Sequence, residues 1–140
     1  MTPRKIFVDT LFVIALINER DQYHERAAEL TDLCDGQLLL TTDAVLLEIG
    51  NALARAFRKE AAAVIETFLS SPDVEIVHIA PDLLDRAVSL YKDHQDKEWG
   101  LVDCISFVVM REAGVSTALT FDRHFVQAGF TALLRDNSDT

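Results

Sequence analysis

"IFVDTLFVIALI", residues 6 to 17, is the stretch whose reading decides the fold. Apart from Asp9, every residue in it is apolar or Thr. A carboxylate buried without a partner is costly, so its place in such a run needs a cause. Read as one strand, the segment from Lys5 to Ile17 is far longer than strands usually are. A short buried strand, "RKIFVD", that gives way to a helix at Asp9-Thr10 removes the length problem and puts the carboxylate at a strand end.

Working outward, residues 21 to 34 carry apolar or small side chains at Tyr23, Ala27, Leu30 and Cys34, the spacing of a helix, and Asp35-Gly36 ends it. "QLLLTT" is a second strand. Thr42 and Asp43 supply N-cap chemistry ahead of "AVLLEIGNALARAF", where Val45, Ile49, Ala52, Leu53 and Ala56 form one apolar stripe. A helix over about 59–69, a strand "VEIVHI", and a helix opened by Pro81 and running to about His94 follow. After the polar "DHQDKEWG" loop comes a helix from about Leu101 to Ala113, closed by Gly114. "STALT" and "FTALLR" read as the fourth and fifth strands.

Strands alternating with helices predict an α/β fold, a three-layer α/β/α sandwich around a mainly parallel sheet of about five strands. With 140 residues, 49% apolar and 26% charged, the chain is expected to form a single domain over residues 1–140. Arg4 and Lys5 ahead of an apolar run imitate a signal peptide. However, Asp9 interrupts the run, no small-residue cleavage pattern follows, and the run is too short to span a bilayer. The expectation is a cytoplasmic protein without membrane association, with Cys34 and Cys104 as reduced core thiols. A net charge of −10 argues against a broad basic face that grips nucleic acid. It is compatible with an enzyme whose metal-binding carboxylates raise the acidic count, and with a basic partner.

In such sheets, ligands bind at the carboxyl ends of the strands. Asp9 ends the first strand. Glu48 lies in the second turn of the helix after strand two, Asp103 near the start of the helix before strand four, and Asp122 directly after strand four. Each has an ordinary explanation alone: a helix-start carboxylate for Asp103, a turn residue for Asp122, a solvated position for Glu48, a helix cap for Asp9. Their convergence on one rim calls for a shared cause, and a hard divalent cation supplies it. Mg²⁺ and Mn²⁺ prefer oxygen ligands and offset the repulsion of clustered carboxylates. No His or Cys spacing suggests zinc. An all-carboxylate site suits phosphodiester chemistry.

"FVDT", "TTDAVLLEIGNAL", "EWGLVDCISF" and "ALTFDRHF" together resemble the motif blocks of PIN-domain ribonucleases, most closely the toxins of VapC-type toxin–antitoxin systems. The resemblance runs from Asp9 to about Phe130. It implies a PIN-like fold and a metal-dependent endoribonuclease using Mg²⁺ or Mn²⁺. The acidic quartet falls on Asp9, Glu48, Asp103 and Asp122, with Asp9 and Asp103 as principal metal ligands and the other two completing the shell and orienting the attacking water. Thr10 and Thr120 match supporting polar positions. Ser106, one turn after Asp103, either faces the same cavity or bonds back to its own helix. The resemblance further implies an antitoxin partner and a homodimer, for which the apolar helices before residue 70 offer a surface.

By helix geometry Arg55 and Lys59 project within about 20° of Glu48, and with Asn51 they form a short polar and basic stripe that would track RNA phosphates on either side of the scissile bond. A solvated helix face explains the same residues. Asp96 and Glu98 read as solvated loop charges. "RHF" after Asp122 reads as structural, with Phe125 inside and no catalytic need for His124. A haloacid-dehalogenase-like phosphatase wants a second Asp where Leu11 stands. A receiver domain wants paired acids after strand one and a late Lys, and the last Lys is Lys97. The remaining alternative is a catalytically silent PIN-like module that binds RNA or assembles with other proteins.

Overall fold

The break expected at Asp9 is present. In the computed structural model, which describes residues 4–135, strand β1 (Lys5–Val8) ends one residue before Asp9, and helix α1 (Thr10–Ile17) starts one residue after it. Asp9 itself is extended, with φ −97° and ψ 158°. The chain continues through α2 (His24–Leu33), β2 (Leu38–Thr42), α3 (Asp43–Ala52), α4 (Arg58–Ser70) and β3 (Val74–Val77). Then come α5 (Pro81–Asp93), α6 (Leu101–Ala113), β4 (Thr117–Leu119), α7 (Arg123–Gln127) and β5 (Thr131–Ala132).

The five strands form one sheet in the order β3-β2-β1-β4-β5, and every pairing is parallel. Right-handed crossovers then place the helices before β3 on one face and those after it on the other. The packing agrees: α1 meets α2 and α3, and α3 meets α4, whereas α5 packs on α6 and α6 on α7. β1 is therefore covered on both faces, which is why Phe7 and Val8 are both fully buried rather than alternating. The strand order reverses between β1 and β4, and at such a switch point the loops leaving the two strands diverge and open a crevice.

Local chemistry fixes the element ends. Thr42 caps α3 by accepting the Val45 N–H at 3.2 Å, and the Thr41 hydroxyl donates to the Val8 carbonyl at 2.9 Å, tying β2 to the last residue of β1. Gly114, at φ 68°, supplies the left-handed residue that ends α6. Cys104 is buried and Cys34 half-buried, and both are free thiols. No described helix is long and apolar enough to cross a membrane.

Two helix boundaries depart from the sequence reading. The helix after β2 stops at Ala52 instead of continuing to Phe57; residues 53–56 turn, and α4 begins at Arg58. Leu53 is buried, and Phe57 packs against the core, so the chain bends to bury both although "ALARAF" has good helix propensity. The second departure is α7, an unexpected short helix between β4 and β5. Asp122 caps it, and Gly129 at φ 97° lets the chain turn from it into β5.

An aromatic cluster anchors the α6–α7 side. The Phe107 ring lies edge-on to Phe125 and to Trp99, each at 5.0 Å between centroids. The Trp99 indole N–H donates to Gln127 Oε1 at 3.0 Å. This cluster joins the loop that opens α6 to the helix that follows Asp122, so it sets where Asp103 and Asp122 stand. Replacing Phe107 with Ala should cost about 3–5 kcal/mol of unfolding free energy. Denaturant unfolding checks this; a decrease under about 1 kcal/mol would show that the cluster is not the anchor.

Candidate active site

A cavity of about 560 Å³ opens at the switch point. Asp9, Glu48, Asp103 and Asp122 all line it, together with Thr10 and Asn51, and Leu11 and Ile14 form an apolar flank. A larger cavity, of about 730 Å³, lies at the opposite edge of the sheet beside Lys5 and Thr117, but among the described residues no carboxylate lines it. The acidic quartet read from the sequence is thus gathered by four different segments of the chain.

Asp9 stands at the end of β1 and is nonetheless only 5% exposed. Its backbone N–H donates to the Leu119 carbonyl at 3.3 Å, extending the β1–β4 pairing by one residue. Its carboxylate makes no helix-capping bond; Oδ2 accepts the Thr120 hydroxyl at 2.8 Å instead. Thr120 in turn accepts the Asp122 N–H at 3.0 Å, so one fully buried hydroxyl joins the two acids. Burial pushes the Asp9 carboxyl up to about 7; the Thr120 hydrogen bond opposes the shift, and the negative charges of Asp103 and Asp122 add to it.

The other three acids are held just as specifically. Thr10, the first residue of α1, donates to Glu48 Oε1 at 2.7 Å, fixing α3 against the start of α1. Asp103, in the first turn of α6, accepts the Gly100 N–H at 3.0 Å through Oδ2. Its carboxyl is also raised, by burial first and by the Asp122 charge, against the pull of Gly100 and His124. Asp122 accepts the His124 N–H at 2.9 Å as the cap of α7. The donor set is four carboxylate side chains, and among the described residues no Lys or Arg lines the cavity to neutralise them. That chemistry fits a hard divalent cation.

Several sequence expectations are corrected here. Ser106 is fully buried and donates to the Val102 carbonyl at 3.1 Å, so it serves its own helix and does not line the cavity. Asn51 reaches the cavity, but the continuous stripe from Glu48 through Arg55 to Lys59 does not exist. Arg55 lies in the turn after α3 and Lys59 in α4, both exposed, because the helix ends at Ala52. Asp96 and Glu98, by contrast, are the exposed loop charges expected, and they pair with Lys97 and Arg123.

His124 was given no role by the sequence, yet its Nδ1 lies 3.2 Å from Asp103 Oδ2 and 3.3 Å from Asp122 Oδ1. Among the described residues, Asp103, Asp122 and His124 offer donor atoms within 4.8 Å of one another. In the sequence, its position two residues after Asp122 is the one signal that points to it.

Residues 6–131 match the sequence profile of the PIN domain. The chain is 35% identical over 125 residues to the 23S rRNA-specific endonuclease VapC20 of Mycobacterium tuberculosis, in both strains CDC 1551 and H37Rv. The alignment covers 89% of this chain and 95% of that protein. The crystal structure of M. tuberculosis VapC20, described as a sarcin-ricin loop cleaving toxin, superposes with a TM-score of 0.82 at 34% identity, covering 90% of this chain and 96% of that one.

The raised Asp9 carboxyl has a signed consequence for stability. The folded state holds this proton more tightly than the unfolded chain, whose ordinary value is 3.8. The resulting stabilisation is complete below that value and is lost as pH rises toward and through about 7. Metal-free wild type should therefore lose up to about 1.4 kcal/mol per pH unit across that window from this group. Asp9→Asn should be flatter, with parallel pH-stability curves as the contrary result.

Proposed function

The chain belongs to the PIN-domain family, and from that premise we propose that it is a metal-dependent endoribonuclease that hydrolyses RNA phosphodiester bonds as the toxin of a toxin–antitoxin pair. The observation that carries this reading is the convergence of Asp9, Glu48, Asp103 and Asp122, from four separate segments, on one cavity at the switch point of the sheet. The relatives' named activity on 23S rRNA supports the substrate class and makes ribosomal RNA the first substrate to offer.

Asp9 and Asp103 would be the principal ligands of Mg²⁺ or Mn²⁺, with Glu48 and Asp122 completing the set. Such a cation supplies an acidified water and offsets charge on the attacked phosphate. The chain's own part is preorganisation. The Thr120 hydroxyl holds Asp9, and the Thr10 hydroxyl holds Glu48, so each acid presents a fixed oxygen to the cavity rather than a freely rotating carboxylate. Glu48 and Asp122, which line the cavity, would help to orient the attacking water. Asn51 on the same wall, with Arg55 and Lys59 beyond the end of α3, would contact RNA phosphates on either side of the scissile bond.

A basic antitoxin segment suits an acidic cavity on a chain of net charge −10. Leu33, Leu47 and Leu69, each at least 60% exposed on the helices before residue 70, support a homodimer. A cytoplasmic location accords with an RNA substrate and two free thiols.

Purified protein incubated with ribosomal, transfer and messenger RNA should cleave in Mn²⁺ or Mg²⁺, and should fail in EDTA or as Asp9→Asn. Cleavage that survives both controls would refute the metal-acid mechanism. Binding to RNA without cleavage would instead favour the silent RNA-binding module. Arg55→Gln with Lys59→Gln should weaken RNA binding and reduce its salt slope by about 1 for each phosphate that is no longer neutralised. An unchanged slope sinks the phosphate role.

A further inference from the structure

His124 is the feature beside the cavity that the acid quartet leaves unexplained. Its side chain is 19% exposed, so it is not a solvated surface histidine. Its position is also fixed from both sides. Its backbone N–H donates to Asp122 Oδ1, and the next residue, Phe125, is fully buried against Phe107.

The oxygens that Nδ1 approaches are informative. Asp103 Oδ2 already accepts the Gly100 N–H, and Asp122 Oδ1 already accepts the His124 backbone N–H. Each is therefore the oxygen its carboxylate has committed to the protein. His124 Nδ1 hydrogen-bonds the committed Asp103 oxygen at 3.2 Å and stands 3.3 Å from the committed Asp122 oxygen, and it is not itself among the residues that line the cavity. An imidazole N–H bonded to one carboxylate and standing this close to the other ties their committed sides together and limits the separation of the oxygens that remain. It needs only the neutral tautomer with the proton on Nδ1.

Resting on the reading of the cavity as a cation site, we propose that His124 is a positioning residue whose Nδ1–H bridges Asp103 and Asp122 and presets their spacing for the divalent cation. The bridge lets two carboxylates stand together before the ion arrives. Outer hydrogen bonds of this kind are worth about 10–100-fold in metal affinity. An amide at the same position offers an N–H where Nδ1 stands, so Asn should substitute for His, while Ala should not.

The test is Mn²⁺ binding followed by electron paramagnetic resonance of the free ion, on the full-length chain without RNA. Wild type should bind, and Asp9→Asn should not. His124→Ala should bind about 10–100-fold more weakly while melting cooperatively, and His124→Asn should recover most of the affinity. Equal affinity for His124→Ala and wild type, or failure of Asn to restore the affinity that Ala removes, would overturn the bridge and leave the cation site standing. Nitrogen coupling in the echo-modulation spectrum of bound Mn²⁺ that disappears in His124→Ala would also overturn it, by making the imidazole a direct ligand. No Mn²⁺ binding by wild type would instead remove the cation reading itself.

Discussion

The rest of the structure depends on a repulsion. The fold brings Asp9, Asp103 and Asp122 close enough that the charges of the last two bear on the first, in a place where Asp9 has almost no water around it. Left alone, such a cluster drives its own members toward the protonated state. The protein answers with hydrogen bonds aimed at individual carboxylate oxygens: Thr120 to Asp9, Thr10 to Glu48, Gly100 to Asp103, and the backbone of His124 to Asp122. These bonds orient the acids but do not neutralise them. Among the described residues that line the cavity, no Lys or Arg offsets their charge.

The sheet order makes this arrangement possible. β1 and β4 are neighbours in space, although more than a hundred residues separate them, and their pairing continues past the end of β1 through the Asp9 N–H and the Leu119 carbonyl. That register puts Thr120 opposite Asp9, where one hydroxyl serves two acids. The covering helices bring the other carboxylates. α3 carries Glu48 toward the start of α1 from one face, and α6 carries Asp103 from the other. Trp99, Phe107 and Phe125 join the start of α6 and its body to α7 through edge-on ring contacts. A dry aromatic core thus fixes the position of a charged site, and the precision of the site derives from the packing behind it.

Much of this was legible in the sequence because the signals are local. An overlong apolar run with one carboxylate can be split only at Asp9. Alternation of short apolar strands with helical stripes implies a parallel sheet, and a parallel sheet with acids after its strands implies one acidic rim. Boundaries governed by long-range packing were not legible. The helix after β2 ends at Ala52 because Leu53 and Phe57 are drawn into the core, and nothing in "ALARAF" itself announces that turn. The basic stripe expected along that helix failed for this reason. Ser106 was open for a related reason: the sequence allowed it to face the cavity or to bond its own helix, and packing rotates it into the core, where its own backbone satisfies it.

The chain by itself determined the class of the fold, the strand end at Asp9 and the identity of the four acids. Residue type, hydrophobic period and strand-end position are properties of short segments. Tertiary structure alone decided that Asp9 stays buried while standing at the rim, that Thr120 is its partner, and that His124 sits between Asp103 and Asp122. Those contacts join residues 21 and 111 positions apart. Their geometry is set by strand register and by the angle at which a short helix leaves the sheet, and no local pattern encodes either.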